Sequence, residues 1–210
     1  MRKFIQTGAV FLTVVGLTSV LGHLFHFKPP EGALWPPGPD WYNSQLDRYR
    51  AHPFFSYTHI LLGGFFLLFA PIQFFPFVRA KALYLHRFLG RLLVAGGLLI
   101  GLSGLGLGTL IPFGGTSETI VAVVASFLFL LSLSKAFYYI RAKKIGLHRK
   151  WMIRAYALGL GVALMRVFDS LLFPFQIVRD QDLFWITLIL GWGLSLSVAE
   201  LWIRRVPIKT

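Results

Sequence analysis

Cysteine is absent from this 210-residue chain. Without thiolates there are no disulfides, no thiolate-held metal and no cysteine-ligated iron–sulfur cluster. Charge is scarce as well: 14% of residues are charged, against about 25% in a soluble domain. Acids are the scarcer sign, with eight Asp and Glu facing 21 Lys and Arg. So few carboxylates leave little for paired acid–base catalysis. A Gly-rich phosphate loop, a Ser-His-Asp order and an HExxH motif are missing too. No catalytic constellation is therefore assigned, and whether the chain is an enzyme stays open at this level.

What is abundant is apolar surface. The chain is 56% hydrophobic and its mean hydropathy is +0.67. Apolar runs of this length read as membrane helices, because a spanning segment must satisfy its backbone internally. Six spans are predicted, at 6–27, 54–77, 83–111, 118–140, 152–174 and 183–203. Each is near the roughly 20 residues that cross about 30 Å of hydrocarbon. Pro53 and Pro71 punctuate the second span. The fold class is all-α, a polytopic membrane bundle of six helices forming a single transmembrane domain over 1–210. Spans two to five are its expected core.

Six spans sort the charges. Fifteen of the 21 Lys and Arg fall on the side of the termini, Arg2, Arg79, Arg87, Arg149 and Arg204 among them. Six of the eight acids fall on the other side. The positive-inside rule then puts both termini in the cytoplasm, as in a bacterial inner membrane. The net charge of +13 becomes a topology signal and an attraction to anionic lipid heads, not a nucleic-acid footprint. The first span is read as a retained helix, since no small-x-small cleavage pattern follows it. The proline-rich stretch 28–53, with Trp35, Trp41 and Tyr42, is an outer loop, either an interfacial lid or a plain linker.

Histidines carry the candidate chemistry. His23, His26, His52 and His59 lie toward the outer ends of spans one and two. His86 opens span three on the inner side, and His148 precedes span five there. Each depth thus holds histidines from different helices, as a bis-histidine haem requires. Copper uses imidazole too, and any single histidine can be a plain interfacial residue. On span three Gly90, Gly97, Gly101, Gly104 and Gly108 fall within about 60° of His86. Such a face clears space for a porphyrin; more commonly it is a packing seam between helices. Arg166 lies five turns from His148. It can bind an anion such as a propionate, or simply pair with Asp169 three residues on.

These motifs are similar to those of a family of bacterial "predicted membrane proteins" defined as a domain of unknown function. The likeness rests on His59 with Gly63, on His86-Arg87 with Gly90-Arg91, on His148-Arg149 with Trp151-Met152 and Arg154, and on Arg166. It covers about half the chain and implies a fold but no activity. A looser resemblance runs to di-haem b-type membrane cytochromes, the cytochrome b561 and ferric-reductase groups. That resemblance implies haem b held by His86 and His148 on the inner side. His59, with His23, would hold an outer haem or bind a quinone. Arg166 and Arg91 would assist as anion partners. The expected function is electron transfer within or across the bilayer. The alternative is a non-catalytic subunit or assembly factor of a larger respiratory or photosynthetic complex, and a small transporter ranks third. Expected partners are membrane lipids, a quinone and other subunits, with no nucleic acid.

Overall fold

A computed structural model describes residues 2–27 and 47–205, with side chains over 5–24 and 47–205. The side chain of His26 and the stretch 28–46, most of the proposed lid, lie outside the described residues. Every regular element among the described residues is a helix. They are α1 (Arg2–Phe27), α2 (Pro53–Phe69), the short α3 (Pro76–Lys81), α4 (Leu83–Leu110), α5 (Gly115–Arg141), α6 (Ile145–Leu172) and α7 (Asp180–Arg205). Six of these are long and apolar enough to cross a membrane. With six such helices the described chain starts and ends on the same side, so the bundle has a basic end, with Arg2 and Arg205, and a far end.

Local chemistry sets the boundaries. Pro53 opens α2 and Pro76 opens α3, where a missing N–H is harmless. Pro71 turns the end of α2 into a 3₁₀ turn, Pro71–Phe74. After α5, Lys143 adopts a left-handed conformation (φ 59°). The Lys144 N–H then bonds the Tyr139 carbonyl at 2.8 Å and closes the helix end. Spans four, five and six start earlier than hydropathy alone places them, at Gly115, Ile145 and Asp180. Polar first turns remain helical because helix formation propagates into them. His148 accordingly sits inside α6 rather than before it.

Apolar side chains cover the outside of the bundle as well as filling its core. Phe11, Leu61, Phe127 and Leu201 are each at least half exposed. Lipid tails are as apolar as these side chains, so burial gives little drive for helices to associate. Close packing and interhelical hydrogen bonds do that work instead. The central cluster joins α2, α4, α5 and α6 through Phe66, Leu93, Leu133 and Leu158. α1 rests on α2 and α6, and α7 makes its broadest contact with α6. At that contact Gly191 lies against the Gly161 carbonyl and the Met165 backbone. The Trp192 indole N–H donates to the Leu158 carbonyl at 3.1 Å. The missing side chain at Gly191 lets the two backbones approach this closely, and the one missing at Gly161 makes room for the Trp192 ring.

Candidate functional site

The glycine face of α4 is a packing seam. A Cβ at Gly97 or Gly101 would strike Leu133 or Leu130 of α5 at 2.6 Å, and Gly108 meets Ala122. Gly90 faces Gln73 instead, and the exception among the rest is Gly104. There a Cβ would lie 2.9 Å from Cε1 of His59 on α2. The missing side chain makes room for an imidazole, and the seam opens into a cavity at this level.

That cavity measures about 220 Å³. A single water needs only about 10–15 Å³ on the same measure, and ordinary ligand pockets hold about 300–1,000 Å³, so the space is larger than a water site and just below a typical ligand pocket. Its walls come from α1, α2, α4, α5, α6 and α7. His23, His59, Glu118 and Arg166 all line it, together with Tyr49 and Ser126; the rest of the wall is mainly apolar.

His59, His23, Glu118 and Arg166 each have a defined partner. His59 Nδ1 lies 3.1 Å from the Ile100 carbonyl, with the Ser103 hydroxyl at 3.4 Å. A carbonyl only accepts, so Nδ1 carries the hydrogen and Nε2 carries the lone pair. His23 is held the same way, its Nδ1 donating to the Ser19 carbonyl at 2.9 Å. Its ring tilts against Tyr49, with centroids 6.0 Å apart. Glu118 is buried in the first turn of α5, where Oε2 accepts the Gly114 N–H at 2.5 Å. Arg166 pairs loosely with Asp169, Nη1 to Oδ2 at 3.5 Å. Asp169 Oδ1 accepts the Thr187 hydroxyl at 3.0 Å. The buried Nε of Arg166 has no partner. The Asp169 pairing weighed for Arg166 is thus present, and it leaves donor capacity over.

The histidines of the basic end are arranged differently. His148 Nδ1 donates to the Ala136 carbonyl of α5 at 2.9 Å. Three residues on, the Trp151 ring takes Lys135 at 5.1 Å and Arg154 at 4.6 Å from its centroid. Arg154 then grips Glu200 of α7 through Nε at 2.5 Å and Nη2 at 3.0 Å. The histidine–tryptophan–arginine motif therefore ties α6 to both of its neighbours. His86 is half-buried, within electrostatic reach of His148 and Arg79, and its Nδ1 has no partner. In α3, burial and then the nearby Arg149 charge lower the pKa of Arg79. Arg91 is exposed.

His59, His23 and Arg166 thus meet in one cavity; His86, His148 and Arg91 lie away from it. Among the described residues no three His, Asp or Glu side chains converge as a cage for a bare metal ion. Sequence reasoning missed Glu118 and Tyr49 as wall residues. Glu118 was counted only among the outer acids. Its spacing to Ala122 and Ala125 gives the signal, since the three share the α5 face that meets the glycine seam.

Residues 56–203 match the profile of the family described as Predicted membrane protein (DUF2306). Helix α1, with His23, precedes the matched residues. No curated protein and no solved structure matches the chain.

Proposed function

The chain belongs to that family of membrane proteins, and from the far-end cavity we propose that it is a b-type haem protein that carries electrons in the bilayer. The observation behind the reading is His59. It is an imidazole whose hydrogen is directed to the Ile100 carbonyl, on the wall of a mainly apolar cavity that also contains an arginine. Haem-binding histidines are commonly oriented by such a bond, which fixes the tautomer and strengthens the ligand. His23 is the second candidate ligand, brought in by α1. Bound haem supplies one-electron chemistry at its iron. The chain's own residues orient and shield. Gly104 leaves room for the His59 ring. Arg166 offers a planar cation to a propionate. The apolar wall keeps the local dielectric low, a lever on potential.

This reading has one haem site where sequence reasoning has two. A second, small cavity beside Asp169 measures about 10 Å³; His86 and His148 line neither of these two spaces. A quinone head is the second reading, favoured by the Glu118 carboxyl, which lines the same mainly apolar cavity as His59. By the positive-inside rule the basic end faces the cytoplasm of a bacterial inner membrane.

The test is a dithionite-reduced minus oxidised absorption spectrum of detergent-purified protein, with haem quantified against protein. A sharp α-band that disappears in His59→Ala and survives in His148→Ala supports the proposal. A flat spectrum from folded protein expressed with added haem overturns it. Quinone recovered by extraction would then move the reading to the second ligand, and neither ligand would leave a subunit or assembly role.

A further inference from the structure

The basic end holds a second polar cluster with a different problem. Gln73 is 8% exposed, and neither Nε2 nor Oε1 has a hydrogen-bond partner. His86 Nδ1 and Arg149 Nε are buried and unpaired as well. Four of the six unpaired buried side-chain atoms among the described residues thus belong to three residues of the basic end. Gly90, one turn along from His86, faces the Gln73 oxygen: a Cβ there would sit 3.7 Å from it.

The cluster is cationic and lacks a counter-charge. Arg79 is fixed over the 3₁₀ turn, its Nη1 donating to the Phe74 carbonyl at 2.8 Å. The charges of Arg79 and Arg149 reach one another, and Arg79 and His148 both act on His86. None of the four ion pairs among the described residues involves Arg79 or Arg149. At the same end of the bundle the Glu200 carboxylate is taken by Arg154. Buried donors without acceptors are costly, and converging cations add repulsion. An anion relieves both.

We propose that Gln73, Arg79, His86 and Arg149 bind one phosphate group, supplied by an anionic lipid headgroup or as free phosphate. A guanidinium fork beside an amide and an imidazole suits a tetrahedral oxyanion. The depth suits a headgroup. Tyr84 and Phe77 beside the cluster are largely exposed, as interfacial aromatics are. Basic pockets between membrane helices are known places for lipid head groups. The inference is independent of what fills the far-end cavity.

Full-length protein in non-ionic detergent is titrated with phosphatidylglycerol, and separately with inorganic phosphate against chloride at matched ionic strength. Thermal unfolding reports stabilisation, and native mass spectrometry counts bound lipid. Saturable binding is expected, with about tenfold weaker affinity in Arg149→Gln and in Gln73→Met. Arg141→Gln, at the exposed end of α5, should bind as the parent does. Gln73→Met removes two unpaired polar atoms, so its ligand-free form should fold at least as well as the parent. That variant keeps the test decisive if the arginine variant fails to fold. Binding of lipid alone assigns the bilayer as source, and binding of inorganic phosphate alone assigns a solute. The proposal is overturned if neither ligand binds saturably, or if Arg141→Gln weakens binding as much as the cluster variants.

Discussion

At the far end of the bundle polar side chains line a space, whereas at the basic end those that follow from His148 join helices. His59 and His148 make the contrast plain. Both donate Nδ1–H to a backbone carbonyl of a neighbouring helix, Ile100 and Ala136 respectively. His59 then fronts a cavity of about 220 Å³. His148 begins a run of ties, through Trp151 and Arg154, that ends on Glu200. The two arginines differ likewise. Arg154 is matched by a two-point carboxylate, while Arg166 has Asp169 at 3.5 Å and a donor to spare. Similar residues at the two ends therefore do different work, and the difference lies in what the opposite helix presents. Beside His59 it presents Gly104; around His148 it presents a packed α5.

The largest effect that can break the contrast is on ligand binding. His59→Ala should lower haem occupancy at least tenfold, since loss even of a supporting group around a metal commonly costs about 10–100-fold. His148→Ala should leave occupancy intact and lower the unfolding temperature. Pyridine haemochrome quantitation with a melting curve for each variant separates the two effects. Equal haem loss in both would return the site to the basic end.

Next in size is the seam behind the cavity wall. A Cβ at Gly191 would strike the Gly161 carbonyl, and it would lie 2.8 Å from the Met165 nitrogen. Both neighbours are backbone and cannot rotate away. Gly191→Ala should therefore destabilise the protein by about 3 kcal/mol, the upper range for overpacking. Gly193→Ala is its control: a Cβ there meets nothing within 4 Å, and the change should stay within about 0.5 kcal/mol. Chemical unfolding in mixed micelles measures both. A tolerant Gly191 would mean that α6 and α7 are not locked, and that the far wall can move.

How far the sequence reveals this arrangement depends on the range of each interaction. Six helices are legible because hydropathy is local and each span is long. The cavity residues His59, His23 and Arg166 are partly legible, because depth along a helix follows from residue count at about 1.5 Å per residue. Glu118 is not, because its role comes from α5 turning a face toward α4, a tertiary fact. The pairing of Arg154 with Glu200 joins positions 46 apart, so a lipid-anchoring role for that arginine was as plausible from sequence alone. The glycine stripe shows the limit most directly. Its spacing predicts a bare face on α4 but does not say what fills it. Leu130, Leu133 and Ala122 fill most of it, and His59 fills the level of Gly104.

A moderate effect is expected at the basic-end tie itself. The side chains of Arg154 and Glu200 are 24% and 37% exposed, so solvent screening reduces their coupling. A double-mutant cycle with Arg154→Gln and Glu200→Gln should give about 1 kcal/mol of coupling. Haem occupancy should not follow it. A coupling near zero would reduce the tie to the Trp151 stacking alone, and a parallel loss of haem would show that the two ends are not independent.

The smallest effect gives the sharpest view of the cavity. Gly63 and Gly64 are adjacent on α2, and both stand in the histidine–glycine motif. Gly64 faces α1, where a Cβ would come 3.0 Å from a Val20 methyl. Gly63 lines the cavity, and a Cβ there meets nothing within 4 Å. Gly63→Ala should therefore leave stability within about 0.5 kcal/mol of the parent. It removes about one methyl's volume from the space, so ligand affinity should fall slightly while the helix is undisturbed. Gly63→Leu extends the same vector. It should empty the site of ligand at little cost in folding, because the added side chain fills a void rather than displacing a neighbour. Unchanged ligand binding in Gly63→Leu would mean that the ligand occupies another part of the bundle. Loss of folding would mean that Gly63 faces packed protein and that the cavity is closed in the membrane.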